Sequence, residues 1–464
     1  MDERTVQQLV GALPEGVVVT DPARTEGYRR DWTRAEDAGR PAAVVRAGCA
    51  DHVRTALRWA SEHRVPVVPR GAGSGLAGGA TAVEGCVVVS TERMTAVEID
   101  PANRVAVAEP GALNAAVKEA AAAHGLWYPP DPGSFRISSI GGNVATDAGG
   151  ICCVKYGVTR DYVLGLDVVL PDGRLVTLGG RTVKDVAGLP LLHLFVGSEG
   201  ALGIVTEVVL RLVPPQEPAA TVVAYFDTPQ DAGAAVVRMT ARLRPSMLEL
   251  LDRTTVNAVE DFRPMGLDRA AGALLVAQTD APGPVRSADV ELMADCCRAT
   301  GAREVLATDD PEEGDAFLEA RRAAGPALDA RGPMLLEDVC VPVDRLPGVL
   351  ERIQAVACEF GVEIPVVAHA GDGNLHPVIP YRPEDPNSTR RARGAFDAVM
   401  RAAIAAGGTI TGEHGVGRAK RAALPEQLGP DVLELSRRIR SAVDPLGIMN
   451  PGVLWEAAPE DAAR

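Results

Sequence analysis

Pro69-Arg70-Gly71-Ala72-Gly73-Ser74-Gly75-Leu76-Ala77-Gly78-Gly79 is the stretch on which the fold turns. It contains a literal G-x-G-x-x-G between Gly73 and Gly78. In a dinucleotide-binding βαβ unit a helix starts inside that motif and aims its N-terminus at the pyrophosphate. Here an apolar, β-branched run, Cys86 to Ser90, follows within a few residues and leaves no room for a helix. The stretch therefore predicts a loop between strands, whose bare N–H groups can form an anion-binding nest. Glycine at so many positions lets main chain approach a diphosphate directly. A flexible connection that binds nothing would use the same glycines, so this loop alone leaves both readings open.

Two further segments have the same character. Pro129-Pro130-Asp131-Pro132-Gly133-Ser134 leads into Ser138-Ser139-Ile140-Gly141-Gly142-Asn143-Val144-Ala145-Thr146-Asp147-Ala148-Gly149-Gly150, which combines bare backbone with hydroxyl and amide donors. The other is Val196-Gly197-Ser198-Glu199-Gly200-Ala201-Leu202-Gly203-Ile204-Val205-Thr206. From Pro41 to about Pro215 the chain otherwise reads as short β-rich runs broken by glycine, including Val65 to Val68 and Val105 to Ala108. Val163 to Leu170 and Arg174 to Leu178 flank Pro171-Asp172-Gly173, an Asp-Gly hairpin signal. A last strand pair, Ile204 to Val213, ends at Pro214-Pro215, where a domain boundary is expected.

Beyond that boundary, Thr221 to Phe226 and Gly272 to Gln278 read as strands. Asp231 to Arg244 and Ser287 to Thr300 read as alanine-rich helices, which makes an α+β pattern. The expected organisation is a helical segment over 1–36, a cofactor domain over 37–215, a substrate domain over 216–405 and a C-terminal segment over 406–464. The tail after Trp455 is expected to fray.

The 464 residues are too many for one ordinary core, and 46% hydrophobic with 23% charged is the balance of a soluble globular protein. No apolar run is long enough to span a bilayer, and Met1 to Gln7 lacks the apolar stretch of a secretory signal, so a cytoplasmic location is expected. A net charge of −15 argues against nucleic-acid and membrane-surface partners and requires local cations for any anionic substrate. Eight cysteines, adjacent at Cys152-Cys153 and Cys296-Cys297, show no C-x-x-C spacing and read as reduced packing residues.

A second chemistry-bearing stretch is Val366-Val367-Ala368-His369-Ala370-Gly371-Asp372-Gly373-Asn374-Leu375-His376. With Asp372-Gly373 as a two-residue turn, Gly371 faces Asn374, Ala370 faces Leu375 and His369 faces His376. Directly opposed Cβ atoms lie about 4.5–5.5 Å apart, a separation at which two imidazoles can share an ion. Two histidines bind weakly, and a carboxylate is the expected third ligand. Gly412-Glu413-His414-Gly415 offers one on a glycine-bounded loop. Cross-strand packing of the histidines and an exposed loop is the plainer alternative. Three of only seven histidines in the chain fall in these two motifs.

The three glycine-rich segments, in this order and spacing, resemble the FAD-binding domain of the vanillyl-alcohol oxidase and p-cresol methylhydroxylase superfamily. From about Pro41 to Leu454 the chain resembles the D-lactate, glycolate and D-2-hydroxyglutarate dehydrogenase branch of the FAD-linked oxidases. The resemblance implies an α+β fold: a two-subdomain FAD-binding domain, an α+β cap over the substrate, and a C-terminal return to the flavin. It implies that Arg70, Gly71, Ala72, Gly73, Ser74 and Gly75, with Pro129, Asp131, Gly133 and Ser134, hold the pyrophosphate and its surroundings. Ser139, Gly141, Gly142, Asn143, Thr146 and Gly149, then Glu199, Gly200, Gly203, Ile204 and Val205, would line the rest. Asn450, in Asn450-Pro451-Gly452, either contacts the flavin or belongs to a helix-stop turn. Some superfamily members bond the flavin covalently through a histidine of the first loop, where this chain has Ser74, so the FAD is expected to be non-covalent.

By the same resemblance His369, His376 and Glu413 ligate a divalent metal, His414 is the catalytic base, and Arg321 binds the substrate carboxylate. The donor set suits zinc without excluding manganese, iron or cobalt. A flavin takes hydride at N5, a secondary alcohol gives it readily only once its hydroxyl proton leaves, and a chelating metal with a neutral histidine promotes that loss. Phe317 stands where relatives often carry tryptophan. Leu336 stands where D-2-hydroxyglutarate dehydrogenases carry a lysine, which disfavours a dicarboxylate. Glycolate or D-lactate is therefore the expected substrate. D-2-hydroxyglutarate, or a non-catalytic flavin subunit of an electron-transfer complex, is the alternative. The electron acceptor is external and not legible, and the resemblance implies a homodimer.

Overall fold

The structure is a computed structural model that describes residues 3–35 and 37–455, so the tail after Trp455 lies outside the described residues. The chain forms two compact units. The first comprises the described residues of Met1–Gly149, Val158–Pro215 and Glu413–Arg464, and the second comprises Gly150–Gly157 and Gln216–Gly412.

The first unit contains two sheets. In the smaller, Ala43–Arg46 and Val67–Arg70 run parallel to Val87–Ser90 on either side of it, and Val18–Val19 adds an antiparallel edge. All four residues of Val87–Ser90 are buried, which fits a near-continuous β-branched run covered on both faces. The helix Ala50–His63 lays Val53, Ala56, Leu57, Trp59 and Ala60 on this core and stops at Arg64, which adopts a left-handed conformation at φ 53°. Val53, Ala56, Leu57 and Ala60 carry an i, i+3, i+4, i+7 apolar period, a helix signal that the strand pattern of the surrounding segment masked.

The other sheet is antiparallel, in the order Val97–Asp100, Val105–Ala108, Ile204–Arg211, Val163–Val169 and Leu175–Gly179. The Asp-Gly turn lies where expected: Val169 faces Leu175, and Gly173 has φ 79°.

The second unit is built on one antiparallel sheet in the order Glu304–Thr308, Ala220–Phe226, Ala273–Thr279, Met247–Asp252, Val366–His369, Asn374–Pro380 and Met334–Leu336. Val339–Cys340 also pairs with Asn374–Pro380. Every residue of Ala220–Phe226 is buried, because helices cover both faces. Pro229–Thr240 and Pro284–Ala299 form at the two helical periods read from the sequence, each opened by proline in its first turn. Among the described residues no helix is long and apolar enough to cross a membrane. The eight cysteines are all unbridged, and burial pushes the thiols of Cys86 and Cys297 up to about 12, as expected of packing residues.

Candidate active site

Within the first unit the Gly71–Gly79 loop leaves strand Val67–Arg70 and reaches Val87–Ser90 without a helix. Among the described residues the N–H groups of Gly73, Ser74, Gly75 and Leu76 donate to no other group of the chain. Consecutive unspent donors of this kind suit a phosphate oxygen, so the residues present fit a diphosphate. Arg70 works from beneath the loop: its Nη1 donates to Ala80 O at 3.4 Å and its guanidinium lies 5.9 Å from the Tyr28 ring centroid. A Cβ on Gly73, which has φ 73°, would overlap that guanidinium.

The second segment is fastened to the first by Ser139. Its Oγ accepts from Ala72 N at 3.2 Å and from Gly142 N at 3.3 Å, capping the short helix Ile140–Thr146 that presents Gly141 and Gly142. Asn143 Oδ1 accepts from Asn114 Nδ2 at 3.0 Å, and Thr146 Oγ1 donates to Gly142 O, so both side chains brace the segment. Pro129 O accepts from Lys118 Nζ. Asp131 lies just before the turn that Gly133 and Ser134 open ahead of that helix, and Gly149 lies just beyond it.

The third segment is bound to the C-terminal part of the unit. Glu199, at φ 50°, is buried, and its two carboxylate oxygens accept from Val416 N and Gly417 N, each at 2.8 Å. Burial pushes this carboxyl up to about 7, against the pull of those two donors and Lys420. Gly200 packs on Pro69 and Gly203 on Val169, while Ile204 and Val205 open their strand. Asn450 Nδ2 donates to Gly79 O at 2.9 Å and Glu199 O at 2.7 Å. The side chains of Glu199 and Asn450 thus tie the first loop, the third segment and the stretch after His414 into one support. Glu413 Oε1 and His414 Nε2 are 3.7 Å apart.

Within the second unit the histidine hairpin forms, but in another register from the one expected. His369 faces Asn374, and His376 faces Val367, because the connection is a single 3₁₀ turn, Ala370–Asp372, followed by Gly373. Gly373 takes φ 79°, and a Cβ there would overlap Val341 O, so the position after the 3₁₀ turn requires glycine. A shift of two residues keeps both side chains on one face of the ladder. The imidazoles therefore meet diagonally, with ring centroids 5.1 Å apart.

Two buried acids that the sequence reading missed set this pair. Glu249 stands directly opposite His369 on Met247–Asp252, and its Oε1 accepts from His369 Nδ1 at 2.8 Å. Its Oε2 accepts from Arg321 Nε at 2.5 Å. Asp338 accepts at Oδ1 from Asn374 Nδ2 (2.8 Å), and at Oδ2 from Thr411 Oγ1 (2.7 Å) and Gly412 N (2.9 Å), and lies 3.7 Å from His376 Nδ1. Gly412, whose Cβ would overlap Asn374 Nδ2, is the residue before Glu413. An acid inside an apolar run, single in Met247-Leu248-Glu249-Leu250-Leu251 and paired in Leu335-Leu336-Glu337-Asp338-Val339, was the signal available. With Nδ1 of His369 donating to a carboxylate, Nε2 carries the lone pair, the tautomer a metal requires. The donor set therefore fits a divalent ion. Phe317 and Leu336 are partly buried and pack against the apolar core of this unit.

The description "FAD linked oxidases, C-terminal domain" matches residues 215–454, and "FAD binding domain" matches residues 41–179. The glycolate oxidase subunit GlcD of Bacillus subtilis (strain 168) is 40% identical over 419 residues, covering 89% of this chain and 89% of the relative. That of Escherichia coli (strain K12) is 38% identical, covering 89% and 83%. A D-lactate dehydrogenase of Archaeoglobus fulgidus is 35% identical, covering 92% and 95%. Among solved structures, p-cresol methylhydroxylase with substrate bound superposes with a TM-score of 0.80 at 18% identity, over 97% of this chain and 96% of the other. A 4-ethylphenol oxidase from Gulosibacter chungangensis gives 0.77 at 19%, over 98% of each. The two solved structures share the fold.

Proposed function

The chain belongs to the FAD-linked oxidases, and from that premise we propose that it oxidises a small D-2-hydroxy acid, glycolate or D-lactate, to the 2-oxo acid. FAD is held non-covalently, and a divalent ion, zinc first, is held by His369, His376 and Glu413. The observation that carries this reading is the buried pair of imidazoles on one sheet face, one of them fixed by Glu249 in the metal-binding tautomer. Bound FAD supplies the two-electron acceptor, and the ion supplies the Lewis acid that acidifies the substrate hydroxyl.

The remaining work falls to the chain's own residues. The terminal amino groups of Arg321 make no hydrogen bond among the described residues and face a carboxylate in a bidentate clamp. The imidazole of His414 takes the hydroxyl proton at a ring nitrogen. Glu199 and Asp338 hold the peptides on either side of Glu413-His414, through Val416 and Gly417 and through Thr411 and Gly412. Leu336 supplies no second cation, which favours a monocarboxylate. The GlcD relatives are described as subunits, which supports an external electron acceptor on a partner protein and keeps open a role inside a larger complex.

Anaerobic addition of glycolate, D-lactate, L-lactate and D-2-hydroxyglutarate to the purified protein tests this. Bleaching of the ~450 nm flavin band by glycolate or D-lactate is expected, and no response to any 2-hydroxy acid would exclude the reading. His414→Ala is expected to keep flavin and metal while slowing reduction about 10²–10⁴-fold. His369→Ala is expected to lose the metal as well, by elemental analysis.

A further inference from the structure

Glu249 is buried and is engaged by two groups from different elements. One oxygen accepts from the candidate metal ligand His369, on the adjacent strand, and the other from the candidate carboxylate clamp Arg321, on the helix Pro311–Asp329. We propose that Glu249 is a positioning residue that sets the ion-facing nitrogen of His369 and the anion-facing edge of Arg321 together, so that affinity for the ion and for the substrate carboxylate share one determinant. This rests on the functional reading above.

The physical case is one of lone pairs. An ionised carboxylate is acceptor-only, so Glu249 Oε1 requires a proton on His369 Nδ1 and thereby leaves the lone pair on Nε2. Its Oε2 takes Nε–H of Arg321, the inner edge of the guanidinium fork, and so turns the two terminal amino groups outward as a planar pair. The charges also depend on one another: Arg321 offsets the cost of a carboxylate with no solvent contact, and the carboxylate fixes a cation whose side chain is only 12% exposed. Neither partner can be released without leaving one oxygen of Glu249 buried and unsatisfied.

Glu249→Gln tests the arrangement, because an amide keeps one acceptor and turns its NH₂ toward either an imidazole N–H or a guanidinium N–H. Full-length protein carrying FAD is stripped of metal. Zinc affinity is then measured by equilibrium dialysis, D-lactate affinity by perturbation of the flavin spectrum, and the His369 tautomer by ¹⁵N histidine spectra. Loss of the Nδ1–H tautomer preference is expected, with zinc weakened about 10–100-fold and D-lactate weakened roughly tenfold or more. Arg321→Lys is expected to weaken D-lactate alone, a contrast that general loosening of the fold would not produce.

Should Glu249→Gln fail to fold, Glu249→Asp keeps the charge on a stem too short to reach both partners, and at least one of the two affinities is expected to fall. A folded variant that binds zinc and D-lactate as the parent does, with the Nδ1–H tautomer intact, would overturn the proposal. If the parent takes up neither zinc nor manganese, the metal half of the functional reading falls instead, and the tautomer and D-lactate measurements still decide the role of Glu249.

Discussion

The buried Glu199 carboxyl makes stability depend on pH in a direction opposite to that of a surface salt bridge. Its acidity is shifted from 4.5 up to about 7 by burial, so between those values the folded chain holds a proton that the unfolded chain has lost. The folded state then binds more protons, and stability falls as pH rises through this window. The full cost, reached above pH 7, is roughly 3 kcal/mol, of which about 2 kcal/mol accrues between pH 5.5 and pH 8. Asp252, raised to about 6 by burial in the second unit, contributes with the same sign, so a comparison is needed.

Glu199→Gln supplies it. The amide cannot ionise, and it leaves one of the Val416 and Gly417 N–H groups without an acceptor, a pH-independent cost of about 1–3 kcal/mol. Urea unfolding of FAD-saturated parent and variant at pH 5.5 and pH 8, at constant salt, is the assay. The stability of the parent relative to the variant is expected to be about 2 kcal/mol greater at the lower pH. A difference that stays flat across the two pH values would refute the assignment of a proton to this carboxyl, and would mean that the two backbone donors keep it ionised.

Asn450→Ala removes the donor that Gly79 O and Glu199 O share, and is expected to lower stability by about 2–3 kcal/mol and to weaken FAD, read by urea unfolding and by flavin-fluorescence titration. Gly373→Ala places a methyl against Val341 O at a φ of 79°; a loss of at least ~2 kcal/mol is expected, with a fall in zinc uptake measured by dialysis. The resemblance puts Ser74 where some superfamily members carry a flavin-bonding histidine, so on the proposed non-covalent binding acid precipitation is expected to leave all FAD in the supernatant, and a yellow pellet would contradict this.

What the sequence disclosed and what it withheld follow from the range of the interactions involved. The strand after the Gly73–Gly78 motif was readable because three consecutive valines state their own preference, and it removed the helix that the motif would otherwise demand. Strands Val105–Ala108 and Ala220–Phe226 were readable for the same reason. The pairing of His369 with His376 was legible only to the face of the sheet. Its register follows the 3₁₀ turn Ala370–Asp372, which lengthens the connection, and the two-residue Asp-Gly rule does not contain that turn. Glu249 and Asp338 were visible as acids in apolar runs, but their partners arrive from a helix and a loop 72 and 74 residues away. The sequence therefore marked them as unusual without saying what they hold.

The knot at Asn450 also bears on the order in which the protein can be made. Val67 N donates to Ile448 O, Asn450 N donates to Val67 O, and the Asn450 side chain reaches Gly79 and Glu199, which lie 371 and 251 residues earlier. During synthesis the glycine-rich loop therefore leaves the ribosome long before the side chain that secures it, while the entire second unit is still to be translated. Loop closures of that span are slow and entropically costly, so the nascent N-terminal sheet waits with one edge unpaired. Chaperone dependence or aggregation in this protein would be expected to originate at that exposed edge.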